Sequence, residues 1–173
     1  MRKLVFISLV AVLALPAWAA AGARPNAGDR AAAVASCSSE RGSMGTPAFK
    51  LLYGTNANRS NAFGKCVSKL AQQHANNHAT AVSQCRAERA ADPAAFAALY
   101  GTGPNHANAF GKCVSMKAKA AGNAQVHATV NAARECFTER QADPAAFKDH
   151  YGTNANKSNA FGKCVSSKVK HTP

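Results

Sequence analysis

The sequence predicts an all-α fold: three tandem helical repeats, each stapled by a disulfide and joined to the next by a long shared helix. Three observations carry this expectation. First, one block is written three times. Tyr53-Gly54-Thr55-Asn56 leads to Asn61-Ala62-Phe63-Gly64-Lys65-Cys66-Val67-Ser68, and the block recurs at residues 100–115 and 151–166 with 13 residues from Tyr to Cys each time. Self-similarity of this kind marks a repeat architecture. Second, the six cysteines fall at two fixed places of the block, because Cys37, Cys85 and Cys136 each precede Glu-Arg by one offset. Third, residues 62–92 contain no proline and are mostly helix formers.

The elements follow in chain order. Arg2 and Lys3 open an apolar run over residues 4–15 that Pro16 ends, and Ala17-Trp18-Ala19 gives the small-x-small pattern of a cleavage site. Residues 1–19 therefore read as a secretory signal peptide. The run is shorter than the roughly 20 apolar residues that cross a bilayer, so no transmembrane segment is expected. Removing Arg2 and Lys3 with the leader lowers the formal charge of +13 by two. Residues 20–33, with Gly22, Pro25 and Gly28, read as a flexible arm. The repeats are then assigned to residues 34–70, 82–119 and 133–170, with helical linkers at 71–81 and 120–132.

Within each repeat, Asp92-Pro93, Asp143-Pro144 and the divergent Thr46-Pro47 read as an N-cap followed by proline at the first helical position. Phe49 and Tyr53 are four residues apart and share a helix face, as do Phe96/Tyr100 and Phe147/Tyr151. Gly54, Gly101 and Gly152 fall where helices often end on a left-handed residue. Asn-rich loops follow, since Asn side chains bond nearby backbone in turns. New helices begin near Asn61, Asn108 and Asn159.

Cys66 and Cys85 are 19 residues apart, Cys113 and Cys136 are 23. The difference of four is about one helical turn, an insertion that keeps neighbouring units in similar rotation along a helix. Continuous helices are therefore expected over residues 61–90 and 108–142, with Gly122-Asn123 as a weak point in the second. On one long helix Cys66 and Cys85 would lie ~28 Å apart, far beyond the roughly 7 Å between Cα atoms that a disulfide tolerates. The pairing is then Cys37–Cys66, Cys85–Cys113 and Cys136–Cys164, staples of the kind exported chains carry. No Cys-x-x-Cys occurs, so zinc ligation does not account for the cysteines.

Chemistry-bearing patterns are few. His74 and His78 are one turn apart, which can begin a metal site, but no Glu follows His74 and no other repeat has the pair. They read as surface or packing residues. The Glu-Arg pairs (Glu40-Arg41, Glu88-Arg89, Glu139-Arg140) lack a second tuned group for acid–base work and fit a structural ion pair or a clamp on the Asn loop. Gly64-Lys65 and its copies lack the earlier glycine and the Ser or Thr of a phosphate loop. The Asn loops have no acidic ligand for calcium. No cofactor motif is present.

Charge is the remaining signal. The chain carries 21 Lys and Arg against 8 Asp and Glu. Lys65, Lys112 and Lys163 recur at one position, and Lys69, Lys117 and Lys168 follow closely. Basic patches attract polyanions through long-range electrostatics and counterion release. The six lysines are thus candidates for contact with an anionic glycan, lipid headgroups or extracellular nucleic acid, presented as spaced faces on a rod. No aromatic residues interleave with the charge as stacking platforms do in nucleic-acid readers.

The unit Cys-x-x-Glu-Arg … Asp-Pro-Ala-Ala-Phe … Tyr-Gly-Thr-Asn … Asn-Ala-Phe-Gly-Lys-Cys-Val-Ser resembles a Cys-paired helical repeat found in uncharacterised exported proteins of high-GC bacteria. It covers residues 34–170, and the first copy departs at Ser43-Met44-Gly45-Thr46. The resemblance implies no activity. The expectation is a secreted, extracellular or periplasmic, non-enzymatic structural or binding module making multivalent weak contacts with anionic polymers. The competing class is a metal-binding or enzymatic protein with a single site at a repeat junction.

Overall fold

The computed structural model describes residues 22–170, and the signal-peptide assignment lies outside them. Seven helices run in order among these residues: α1 (Ala27–Met44), α2 (Thr46–Tyr53), α3 (Ala62–Ala91), α4 (Pro93–Tyr100), α5 (Ala109–Ala142), α6 (Pro144–Tyr151) and α7 (Ala160–Lys170). The described chain is all-α. Both linkers are continuous helix, and Gly122 does not interrupt α5.

The flexible arm gives way to helix earlier than expected. Asn26 and Asp29 form a reciprocal capping box, each side chain accepting the other's backbone N–H at 2.9 Å. This nucleates α1 at Ala27, so only residues 22–26 of the arm are non-helical among those described. Asp92 and Asp143 cap α4 and α6 as expected. Thr46 does not cap α2; it lies inside the helix, and Gly45, at φ 81°, stands at the cap without a side-chain bond.

Gly54, Gly101 and Gly152 are also not left-handed, with φ between −73° and −76°. The left-handed residues come later in each loop: Arg59, His106 and Lys157, at φ 50–55°. That turn folds the loop back onto the glycine. A Cβ on Gly54 would stand 2.4 Å from the Arg59 Cβ and 2.7 Å from the Lys50 carbonyl, and Gly101 and Gly152 are as tightly enclosed. Glycine is required here by close approach rather than by its own dihedral angles.

The disulfides join Cys37–Cys66, Cys85–Cys113 and Cys136–Cys164 with Cα separations of 6.0–6.1 Å, and all six residues are fully buried. Around each staple, Phe49, Phe96 or Phe147 packs inward with its Tyr partner at 4.9–5.0 Å between ring centroids.

The copies do not line up as a rod. Helices α3 and α5 lie side by side, and their partners run in opposite directions along the two: Cys85 meets Cys113, while Asn77 exchanges amide hydrogen bonds with Gln125. This antiparallel hairpin of long helices brings copies 1 and 3 to the same end. They share one core, in which Phe49, Cys66 and Leu70 of copy 1 are clustered with Ala133, Phe161 and Val165 of copy 3. Copy 2 sits at the far end with a core of its own: Ala81, Cys85, Phe96, Ala109, Cys113 and Val114. Small residues allow the long helices to approach. Gly122 is buried, and a Cβ there would stand 3.2 Å from the His74 ring.

Candidate functional site

The repeated Glu-Arg pairs are neither ion pairs nor loop clamps. Each Glu accepts from the Tyr hydroxyl of its own copy: Tyr53 to Glu40 at 2.6 Å, Tyr100 to Glu88 at 2.9 Å and Tyr151 to Glu139 at 2.9 Å. Two of the arginines face aromatic rings instead, Arg41 over Phe63 and Arg89 over Phe110. The loop clamp is Asn to Thr. In every copy the Asn before the new helix accepts the Thr backbone N–H and donates to the same Thr hydroxyl, as Asn61 does to Thr55.

The Glu–Tyr pairs divide the candidate lysines. Lys117 pairs with Glu88 at 2.8 Å, and Lys168 pairs with Glu139 at 2.8 Å and Glu135 at 3.2 Å. These bonds hold the Glu88 and Glu139 carboxyls below the usual carboxylate range, the lysine contact contributing most, and raise the two lysines. Lys117 and Lys168 thus have internal partners. In copy 1 the equivalent position is Leu70, which is buried in the shared core. Glu40 therefore has no such lysine and is itself fully buried, with Oε1 unpartnered. Burial raises its carboxyl above the usual range, against smaller opposing effects of the Tyr53 hydroxyl and Lys69. Lys69 lies over the Tyr53 ring, 5.6 Å from its centroid.

Lys65, Lys112 and Lys163 are different. All three are exposed, and none is in an ion pair among the described residues. Lys163 lies in a concavity. The fold-back sets the end of α2 and its loop against the first three turns of α7, leaving a groove of about 870 Å³ whose walls include Leu51, Leu52, Arg59, Lys163, Ser166 and Lys170. Arg59 is held at the rim by bonds from its guanidinium to the Leu51 and Lys50 carbonyls, at 2.8 and 3.3 Å. No Asp or Glu lines the groove.

Of the two histidines, His74 is half-buried between helices, 3.3 Å from the Ser36 hydroxyl and against Gly122, whereas His78 is exposed. The structure does not bring them together with a third ligating residue among those described. No helix of the described residues is long and apolar enough to cross a membrane.

Residue-type reasoning passed over Leu70, Arg59 and the Glu–Tyr–Lys group. The signal that finds them is comparison of the copies with one another: Leu70 stands where Lys117 and Lys168 recur, and every copy repeats a Glu with a Tyr 12 or 13 residues later. Comparison with other proteins adds nothing to this internal one: no family model matches the chain, and no curated protein and no solved structure matches it.

Proposed function

We propose that the protein is an exported, non-enzymatic binding module that contacts anionic polymers through exposed lysines. The observation that carries the reading is the division of the lysines just described. Lys117 and Lys168 are each bonded to a glutamate, whereas the lysine recurring at Lys65, Lys112 and Lys163 is left to solvent in every copy. Such charges add little to folding but act at a distance on a polyanion. The leader-like residues 1–19 and the three disulfides support an oxidising, extracellular or periplasmic setting.

The test is retention of the mature protein on immobilised dextran sulfate through a salt gradient. Lys65→Gln/Lys112→Gln/Lys163→Gln is expected to elute at distinctly lower salt, since each lost contact reduces the salt dependence of binding. Elution of the variant together with the wild type would refute the reading.

A further inference from the structure

The geometry points to the groove between copies 1 and 3 as a binding site for a short stretch of acidic polysaccharide, a chain of uronate sugars. The inference rests on the polyanion reading above and narrows it from a charged surface to one place and one ligand chemistry.

Several features of the groove select that chemistry. Its cations are Arg59, Lys163 and Lys170, with no carboxylate in the lining to neutralise them. Two of the three are lysines, which act as separate point charges, and one edge of the Arg59 fork is already bonded to backbone carbonyls. Isolated carboxylates spaced along a chain match such charges better than a ligand needing bidentate recognition. Leu51 and Leu52 are only half-buried and give the wall an apolar strip. The C–H face of a sugar ring can lie on such a strip. Ser166 offers a hydroxyl with no internal partner, suited to the hydroxyls of a sugar. Asn56 and Asn159 also line the groove, but their amides are bonded within their loops, so they stiffen the walls. No aromatic side chain lines the groove, so bases of a single-stranded nucleic acid would find nothing to stack on. The volume falls in the roughly 300–1,000 Å³ range of sites that enclose a compact ligand, which limits the enclosed portion to a few sugar units.

The site also exists once per molecule. Lys65 and Lys112 occupy the positions equivalent to Lys163, yet neither lines the groove, because only copies 1 and 3 meet. This makes a charge-matched control available inside the same chain.

The experiment measures binding of a fluorescent oligogalacturonate, in the mature full-length protein at low salt, for three variants. Lys163→Gln/Lys170→Gln is expected to weaken binding by at least tenfold. Lys65→Gln/Lys112→Gln removes the same charge and is expected to weaken it by less than threefold. Ser166→Leu keeps the charge but fills the groove, and is expected to match the first variant. All three changes are on exposed positions, and unchanged thermal melting verifies folding. Equal losses in the two lysine pairs, with no loss in Ser166→Leu, would overturn the groove while leaving the general polyanion reading intact. Tighter, groove-dependent binding of a single-stranded oligonucleotide than of the uronate would overturn the ligand class. Absence of binding to either probe and to dextran sulfate would reject both this inference and the reading beneath it.

Discussion

The three disulfides have nearly the same loop length but do not protect equal structures, and removing the middle one separates the two effects. Cys85→Ser/Cys113→Ser opens a loop with a sequence separation of 28 residues. In the chain-entropy treatment this costs about 3.6 kcal/mol at 25 °C. What is left to hold copy 2 is small. Of its six core residues two are the cystine itself, and Phe96 is the sole large aromatic among the fully buried ones. A buried Phe contributes about 1.5–3 kcal/mol, less than the staple that is lost. Copies 1 and 3 instead pool Phe49, Phe147, Phe161, Leu70, Val130 and Val165 in one cluster. The expected outcome is local. By hydrogen-exchange mass spectrometry, peptides covering residues 93–112 should exchange close to the unfolded rate, and those covering 36–53 and 136–151 should keep their protection. Cys136→Ser/Cys164→Ser should lower the melting temperature but leave copy 3 protected. Loss of protection spread evenly over all copies in the Cys85→Ser/Cys113→Ser variant, or none in copy 2, would refute the reasoning.

Other outcomes follow from the same geometry. Glu40 has a raised carboxyl, so its favourable contribution is present below the ordinary carboxyl range and is lost as pH rises through the raised value; Glu88 and Glu139 have lowered ones and contribute above that range until pH falls through them. Glu40→Gln should therefore abolish the decline in melting temperature on the upper side of a scan across roughly pH 3–8 and spare the acid limb. Identical slopes in the variant and wild type would contradict this. Gly101→Ala places a Cβ 2.5 Å from the Ala97 carbonyl and from the His106 Cβ, and should cost about 1–3 kcal/mol in denaturant titrations. Asn61→Ala removes both bonds to Thr55 and should cost about 1–2 kcal/mol, with faster exchange at the Thr55 amide as its local signature.

The parts of the fold that were legible are those written locally. The Cys spacing, the Asp-Pro caps and the uninterrupted linkers specify each unit and the continuity of α3 and α5 without reference to distant residues. The meeting of copies 1 and 3 is different, because repeated residues cannot distinguish which copies touch. That information resides where the copies differ. Copy 1 has Leu51-Leu52 before its Tyr, where copy 2 has Ala98-Leu99 and copy 3 has Asp149-His150. The leucines pack against the shared core, while Leu99 remains 73% exposed. Leu70 in place of lysine is a second such difference. The candidate lysines were equally legible, but their division into a bonded position and a solvent-facing one depends on side chains of other helices. The groove, formed only by the fold-back, had no linear trace.

The hairpin imposes a parity on the array. Each long helix carries the chain across the molecule, so odd-numbered copies collect at one end and even-numbered ones at the other. An open solenoid grows by extending in a single direction, each unit touching only its sequence neighbours. Here the third copy touches the first, and a fourth would be delivered back beside the second, onto the end where Leu99 and Met116 are uncovered. Duplication of a unit would thus thicken the two ends alternately instead of lengthening the molecule. Three copies are the smallest number that give one end a closed pair and the other a single unit.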